Sequence, residues 1–253
     1  MRLEKFFEFK KKDLEPVTSF RLKDELNPKL WKDNVLDESV AKDLLKIAED
    51  FFDSLEEDIE TKDIVLTGSL TNYNWNEKYS DFDIHILIDF KDINDDVELV
   101  KKFLDASKTI WNKEHALKVR GYDVEVNIKE KEDKLPHKGI YSLKEGKWLV
   151  KPDKFNFKPD EDLISEKGEA IMLLVDDLEK EIDDEYGKFK ASVKKVWEKV
   201  KKMRQSGLDS DEGEFSTGNL VFKLLRRNGY IGKIVDLKKK AYRKQFESKN
   251  ETH

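Results

Sequence analysis

Apolar residues recur along the chain at two spacings, and the alternation between them marks out its elements. Between about 36 and 56, Leu36, Val40, Leu44, Leu45, Ile47, Ala48, Phe51, Phe52 and Leu55 follow the three-and-four spacing of one helix face, with Asp37 or Ser39 as the N-terminal cap. DIVLTGSL then reads as a strand over 63–67 that feeds a tight turn at Gly68-Ser69. In DFDIHILIDF (81–90) the period becomes two. Phe82, Ile84, Ile86, Ile88 and Phe90 point one way, while Asp81, Asp83, His85, Leu87 and Asp89 point the other, with only Leu87 out of pattern. A second helix over roughly 95–115 is expected to bury Val97, Val100, Phe103, Leu104, Ile110 and Trp111. YDVEVNIK (122–129) alternates again, with Tyr122, Val124, Val126 and Ile128 toward the core and Asp123, Glu125, Asn127 and Lys129 on the other face. GIYSLKEGKWLV (139–150) predicts a hairpin with Gly146 in its turn.

Either side of this block the pattern differs. Residues 1–30 read as short strand or irregular structure draped on the core, with Pro16 inside them. Pro152 and Pro159 mark a connection, after which the spacing is helical over 164–181, 188–205, about 216–227 and about 230–246, the last two parted at Gly229. The expected architecture is α+β: a mixed sheet with flanking helices over residues 1–155, followed by a helical, basic domain over 156–253.

Composition narrows the chemistry. Among 253 residues, 5 Trp, 7 Tyr and 15 Phe can fill a substantial core despite 41% charged residues. No apolar run reaches about 18 residues, so no membrane span is predicted, and MRLEKFFEFKKKD has no apolar stretch long enough for a signal peptide. The expected location is the cytoplasm. The absence of Cys rules out disulfides, a thiol nucleophile and thiolate zinc sites, and 4 scattered His argue against a histidine metal centre. Any metal would be held by carboxylates, which suit Mg²⁺ or Mn²⁺. The formal charge of -6 hides an uneven distribution: residues 194–246 hold 15 Lys and Arg against 6 Asp and Glu, leaving residues 1–193 at -14. That distribution suits an acidic catalytic part beside a surface for a polyanion, and it equally suits a solvated, lysine-rich helix face.

The two alternating strands carry the candidate chemistry. Each buries a full apolar face and presents acids on the other. Residues two apart on a strand lie about 6.6–7 Å apart on one face, so Asp81 and Asp83 can converge on a pair of divalent ions, and an acid on a neighbouring strand would complete the pocket. Upstream, Gly68-Ser69 can bring backbone N–H groups and a hydroxyl to an anion, particularly where the following segment opens a helix. Asp123 and Glu125 face the same way. Glu125, between two β-branched residues and deeper in the strand, is the first choice for the third carboxylate, with Asp123 the alternative.

The order of apolar strand, Gly68-Ser69, spacer, Asp81-x-Asp83 and an acid on a later alternating strand resembles the signature of the DNA polymerase beta superfamily of nucleotidyltransferases, over about residues 36–130. The phrases LNPKLWKD, YSDFDIHILIDF, GYDVEVNI, PHKGIYSLKEGKWLVKP and NLVFKLLRRNGYI further resemble a group of predicted nucleotidyltransferases encoded by tailed bacteriophages. The resemblance implies a polymerase-beta-like fold, catalytic Asp81, Asp83 and Glu125 or Asp123, and metal held by Asp81, Asp83 and Glu125. It also implies an NTP bound at Gly68 and Ser69, and transfer of NMP to a hydroxyl of RNA or another nucleic acid, a protein or a small molecule.

Lys78 in the spacer and His85 beyond Asp83 are further candidates for nucleotide contacts, and Arg226 and Arg227 for phosphate, since arginine's planar fork suits it. Each has a plainer reading: a loop cation, a strand histidine bonded to a neighbour, and a helix end whose cations meet the dipole near Gly229. Asp89 is expected to lie outside the site, and His137 is a weaker candidate for reaching it. Two other functions compete. One is a pyrophosphokinase of the alarmone-synthetase kind, and the other is a catalytically inactive nucleic-acid or partner-binding protein.

Overall fold

The computed structural model describes residues 15–55, 59–133, 135, 138–154, 156–180 and 186–250. These divide into two compact units, one from Leu22 to Asn156 and one joining the segment up to Arg21 with the chain from Phe157 onward.

In the first unit, a two-stranded hairpin of β1 (Trp31–Lys32) and β2 (Val35–Leu36) leads into helix α1 (Glu38–Asp53). The hairpin turns through Asp33 and Asn34, both at positive φ, a conformation that the short polar side chains of Asp and Asn tolerate. Asp37 caps α1, accepting hydrogen bonds from the backbone N–H groups of Ser39 and Val40. The remaining strands are β3 (Thr61–Thr67), β4 (Phe82–Ile88), β5 (Lys118–Val119), β6 (Tyr122–Glu130), β7 (Ile140–Ser142) and β8 (Lys147–Val150), with helix α2 (Val97–His115) between β4 and β5. They form one mixed six-stranded sheet in the order β5-β6-β4-β3-β7-β8. β4 and β6 run parallel, and α2 lies within the connection such a pair requires; β3 runs antiparallel to both β4 and β7.

The apolar faces pack as the alternation predicts. Phe82, Ile84, Ile86 and Ile88 of β4 are fully buried, and Val124, Val126 and Ile128 of β6 join them against α1 and α2. One expectation fails on α2. Val100, Leu104 and Trp111 are buried, whereas Phe103 and Ile110 are 45% and 57% exposed. Phe103 and Ile110 lie seven residues apart and share a stripe with exposed Leu99, rotated from the stripe that meets the sheet. An aromatic cluster ties the N-terminal hairpin to the sheet edge: Trp31 stacks on Trp148 with ring centroids 4.6 Å apart and meets Tyr141 edge-on at 5.1 Å. The Trp148 indole N–H donates to the Asn34 carbonyl at 2.7 Å.

The second unit is a run of four helices: α3 (Glu161–Lys180), α4 (Tyr186–Leu208), α5 (Thr217–Arg227) and α6 (Tyr230–Asn250). Its core includes Met172, Val175, Val193, Val200, Val221, Leu225 and Leu237, joined by Val17 and Phe20 from a 3₁₀ turn. Ser216 caps α5 by accepting from the Asn219 N–H, and α5 and α6 break at Gly229, where φ is 76°. Gly168 is a close-contact position, since a Cβ there would lie 2.7 Å from Leu224 Cδ2. No helix among the described residues is long and apolar enough to cross a membrane.

Candidate functional site

Three carboxylates meet at one end of the sheet. Asp81 immediately precedes β4, Asp83 is its second residue, and Glu125 stands on β6 directly beside Asp83 in the parallel register. A ligand oxygen from each lies within 4.8 Å of the other two; Asp81 and Asp83 are half-buried and Glu125 is exposed. Like charges at this distance repel, and nothing in ordinary strand packing requires them to gather.

The register also separates Glu125 from Asp123. Asp123 sits at the β5–β6 hairpin, where Lys118 pairs with its carboxylate at 2.6 Å. Its side chain is 69% exposed and stands outside the acidic group. The two acids share a strand face, as their spacing predicts, but the cross-strand partner of Asp83 is Glu125.

The glycine turn is built around Asp83. Gly68 has φ 83°, a region that favours glycine, and a Cβ placed on it would lie 2.0 Å from Asp83 Oδ2. The turn and the carboxylate therefore occupy each other's space so closely that no side chain fits between them. Thr67, fully buried, pairs across the strands with Asp83. Ser69 Oγ lies 2.7 Å from Ser80 Oγ, and the Ser80 hydroxyl accepts from the Asn76 N–H at 2.9 Å. This closes the spacer so that Asp81 follows directly on a residue bonded to the glycine turn. The segment after Gly68 is a three-residue 3₁₀ turn, Ser69–Thr71, rather than the start of an α-helix. The Thr71 hydroxyl is already engaged with the carbonyls of Gly68 and Gly139 at 2.9 and 3.0 Å. The turn thus lacks the dipole of an α-helix, and the polar groups it offers are local N–H groups and the Ser69 hydroxyl.

The donor set fits a hard divalent cation. All three groups are carboxylates, they come from two adjacent strands of the sheet, and the missing Cβ at Gly68 gives Asp83 its room. Ser80 joins the glycine turn without a distinguishing signal in the sequence: it stands next to Asp81, eleven residues beyond Ser69, but many loop serines have no such partner.

The remaining candidates fall in different places. His85 is buried on β4, with Val65 and Asn127 as its cross-strand neighbours, one row behind Asp83. Lys78 is exposed, its ammonium 5.1 Å from the Tyr79 ring centroid. Tyr73 and Trp75 of the spacer hold residues 23–25: Lys23 N–H donates to the Tyr73 carbonyl at 2.7 Å, and the Trp75 indole N–H donates to the Glu25 carbonyl at 2.9 Å. Asp89 caps a short 3₁₀ turn at the far end of β4 and pairs with Lys131, which holds its carboxyl below the ordinary aspartate range. It lies outside the acidic group, as expected. His137 lies outside the described residues.

Arg226 and Arg227 belong to α5 of the helical unit. The Arg227 guanidinium stacks over the Phe20 ring at 4.2 Å and donates to Ser19 Oγ at 2.5 Å, which fastens the 3₁₀ turn to α5. Arg226 adds to a group of cations around Lys223. Burial, and then Arg227, Arg226 and Arg204, push the Lys223 ammonium pKa down, against the opposing influence of Glu214 3.8 Å away. No family model, curated protein or solved structure matches the chain.

Proposed function

We propose that this protein is a divalent-metal-dependent nucleotidyltransferase of the polymerase beta type, transferring NMP from an NTP to a hydroxyl acceptor with release of pyrophosphate. The observation that carries this reading is the convergence of Asp81, Asp83 and Glu125 beside a glycine turn that leaves no room for a side chain against Asp83. The sheet supports it as well, because the antiparallel β3–β4 pair and the parallel β4–β6 pair bring the motifs of the resemblance to one end of adjacent strands.

Asp81, Asp83 and Glu125 would hold Mg²⁺ or Mn²⁺. When bound, the metal neutralises phosphate charge and lowers the pKa of the attacking hydroxyl. The residues themselves have distinct tasks. Asp83, fixed by its contact with Gly68, sets the position of the metal-binding edge. Gly68 and Ser69 orient the triphosphate through backbone N–H groups and the Ser69 hydroxyl. Glu125, the exposed carboxylate of the three, accepts the acceptor's hydroxyl proton on Oε1 or Oε2. In the transfer the acceptor oxygen bonds to the α-phosphorus as the bond to the bridging oxygen of the leaving pyrophosphate breaks.

The test is incubation of purified protein with α-labelled NTPs and Mg²⁺ or Mn²⁺ over separate pools of RNA, protein and metabolites. Label is expected in one pool, and Asp83→Ala is expected to lower that transfer more than about 100-fold, since even outer partners of metal ligands are worth 10–100-fold. Its circular dichroism should stay that of the parent. Retained transfer in an Asp81→Ala/Asp83→Ala double variant overturns the proposal, and acceptor labelling from both β- and γ-labelled but not α-labelled NTP replaces it with pyrophosphoryl transfer.

A further inference from the structure

The four-helix unit distributes its charge unequally. α3 carries seven Asp and Glu against two Lys, whereas α4 carries eight Lys and Arg against the single acid Glu198. α6 is basic as well, with seven Lys and Arg against two acids. α4 and α6 pack side by side, and a surface groove of about 330 Å³ runs between them.

Two stripes line this groove. Lys190, Lys194, Trp197 and Lys201 follow one another along α4 at intervals of three and four residues, and Lys238 and Tyr242 do so on α6. Among the described residues that line it, Glu198 is the only acid. The Lys238 ammonium lies 4.8 Å from the centroid of the Trp197 ring. Tyr242 is 63% exposed and meets Phe246, itself 49% exposed, edge-on at 5.2 Å. Trp197 is half-buried against the helical core beneath Lys238, whereas the Tyr242 ring is open. A purely solvated lysine face has no need of such an open ring, and a purely apolar docking face would not be fenced by ammonium groups.

We propose that the α4–α6 groove binds single-stranded nucleic acid, with bases stacking on the open rings of Tyr242 and Phe246 and the flanking lysines neutralising the phosphates. Charge complementarity selects a polyanion, and the aromatic surfaces select one with exposed planar bases. A duplex keeps its bases inside and offers these rings nothing to stack on. The groove rests on its own residues and is independent of the transferase reading.

Fluorescence anisotropy with labelled uridine and thymidine 20-mers, at 50 and 200 mM salt, tests this with the full chain. Binding is expected to weaken steeply with salt, because a single strand loses about 0.7 counterion per neutralised phosphate. Lys194→Glu/Lys238→Glu should weaken binding at least about 10-fold at the lower salt, and the exposed Tyr242→Ala about 5-fold or more through lost stacking. Thermal melts check that both variants fold. Unchanged affinity in both folded variants overturns the proposal, as does equal affinity for a duplex of the same length. Binding to phosphatidylserine vesicles with none to the oligonucleotides would make the groove a membrane-facing surface instead. Asp83→Ala measured alongside distinguishes the two sites: loss of oligonucleotide binding in that variant, with the groove variants silent, moves the binding to the sheet and overturns the groove.

Discussion

The sheet unit and the helical unit handle charge in opposite ways. The first brings three carboxylates from two strands to within 4.8 Å of one another. The second spreads cations along two long helices, where most project into water and the interaction between any two is screened. Spread charge follows from composition and helix exposure alone. Charge brought to a point requires register, a parallel strand pair and a glycine that lets one carboxylate lie against the chain. Repulsion among such groups opposes folding unless neighbouring groups or a bound cation relieve it.

That contrast can be broken directly. If the acidic group binds a divalent cation, Mg²⁺ should stabilise the protein, by about 2.7 kcal/mol at a hundred times its Kd. A thermal melt with and without Mg²⁺ should show the shift in the parent chain and lose it in Asp83→Ala; an equal shift in both would place the ion elsewhere. Gly68→Ala should be the next largest effect. It forces a Cβ to 2.0 Å from Asp83 Oδ2 and a non-glycine residue into φ 83°, and backbone strain of this kind alone costs about 1–3 kcal/mol. Chemical denaturation should report the stability loss, with Mg²⁺-dependent transfer falling further because Asp83 must move.

The smallest effect belongs to the helical unit. Lys223 is the exception to its dispersed charge, since burial and neighbouring cations lower its pKa. A base with a depressed folded-state pKa binds fewer protons than the unfolded chain, so stability rises with pH between its lowered value and the ordinary lysine value of 10.5. Lys223→Met should raise the Tm at neutral pH and flatten the rise toward pH 10. A lowered Tm would mean that the contact with Glu214 outweighs the cost of burial.

The parts legible in the chain are those set by local period. The alternation of 122–129 gives β6 to within one residue and that of 81–90 gives β4 to within two, its end running into the 3₁₀ turn at Asp89 and Phe90, and the three-and-four spacing gives α1 with its Asp37 cap. Two-residue strands such as β1 and β5 are too short to show a period, and their turns at Asp33-Asn34 and Arg120-Gly121 are revealed by positive φ rather than by hydropathy. Phe103 and Ile110 fit a helix face that tertiary packing leaves open. The choice between Asp123 and Glu125 belongs to pairing: both satisfy the spacing, but Lys118 engages one and Asp83 stands beside the other. Arg227 could not be assigned without the fold, because its partners Phe20 and Ser19 lie at the opposite end of the chain.

The parallel pairing of β4 with β6 has a kinetic consequence. Asp83 and Glu125 are adjacent only after the chain has passed through α2 and returned, a non-local closure of the sort that slows folding. The acidic group draws on both β4 and β6, so its formation marks the pairing of these two strands. An ion that requires all three carboxylates would then bind after this closure and slow its reversal, retarding unfolding while leaving the rate of folding nearly unchanged.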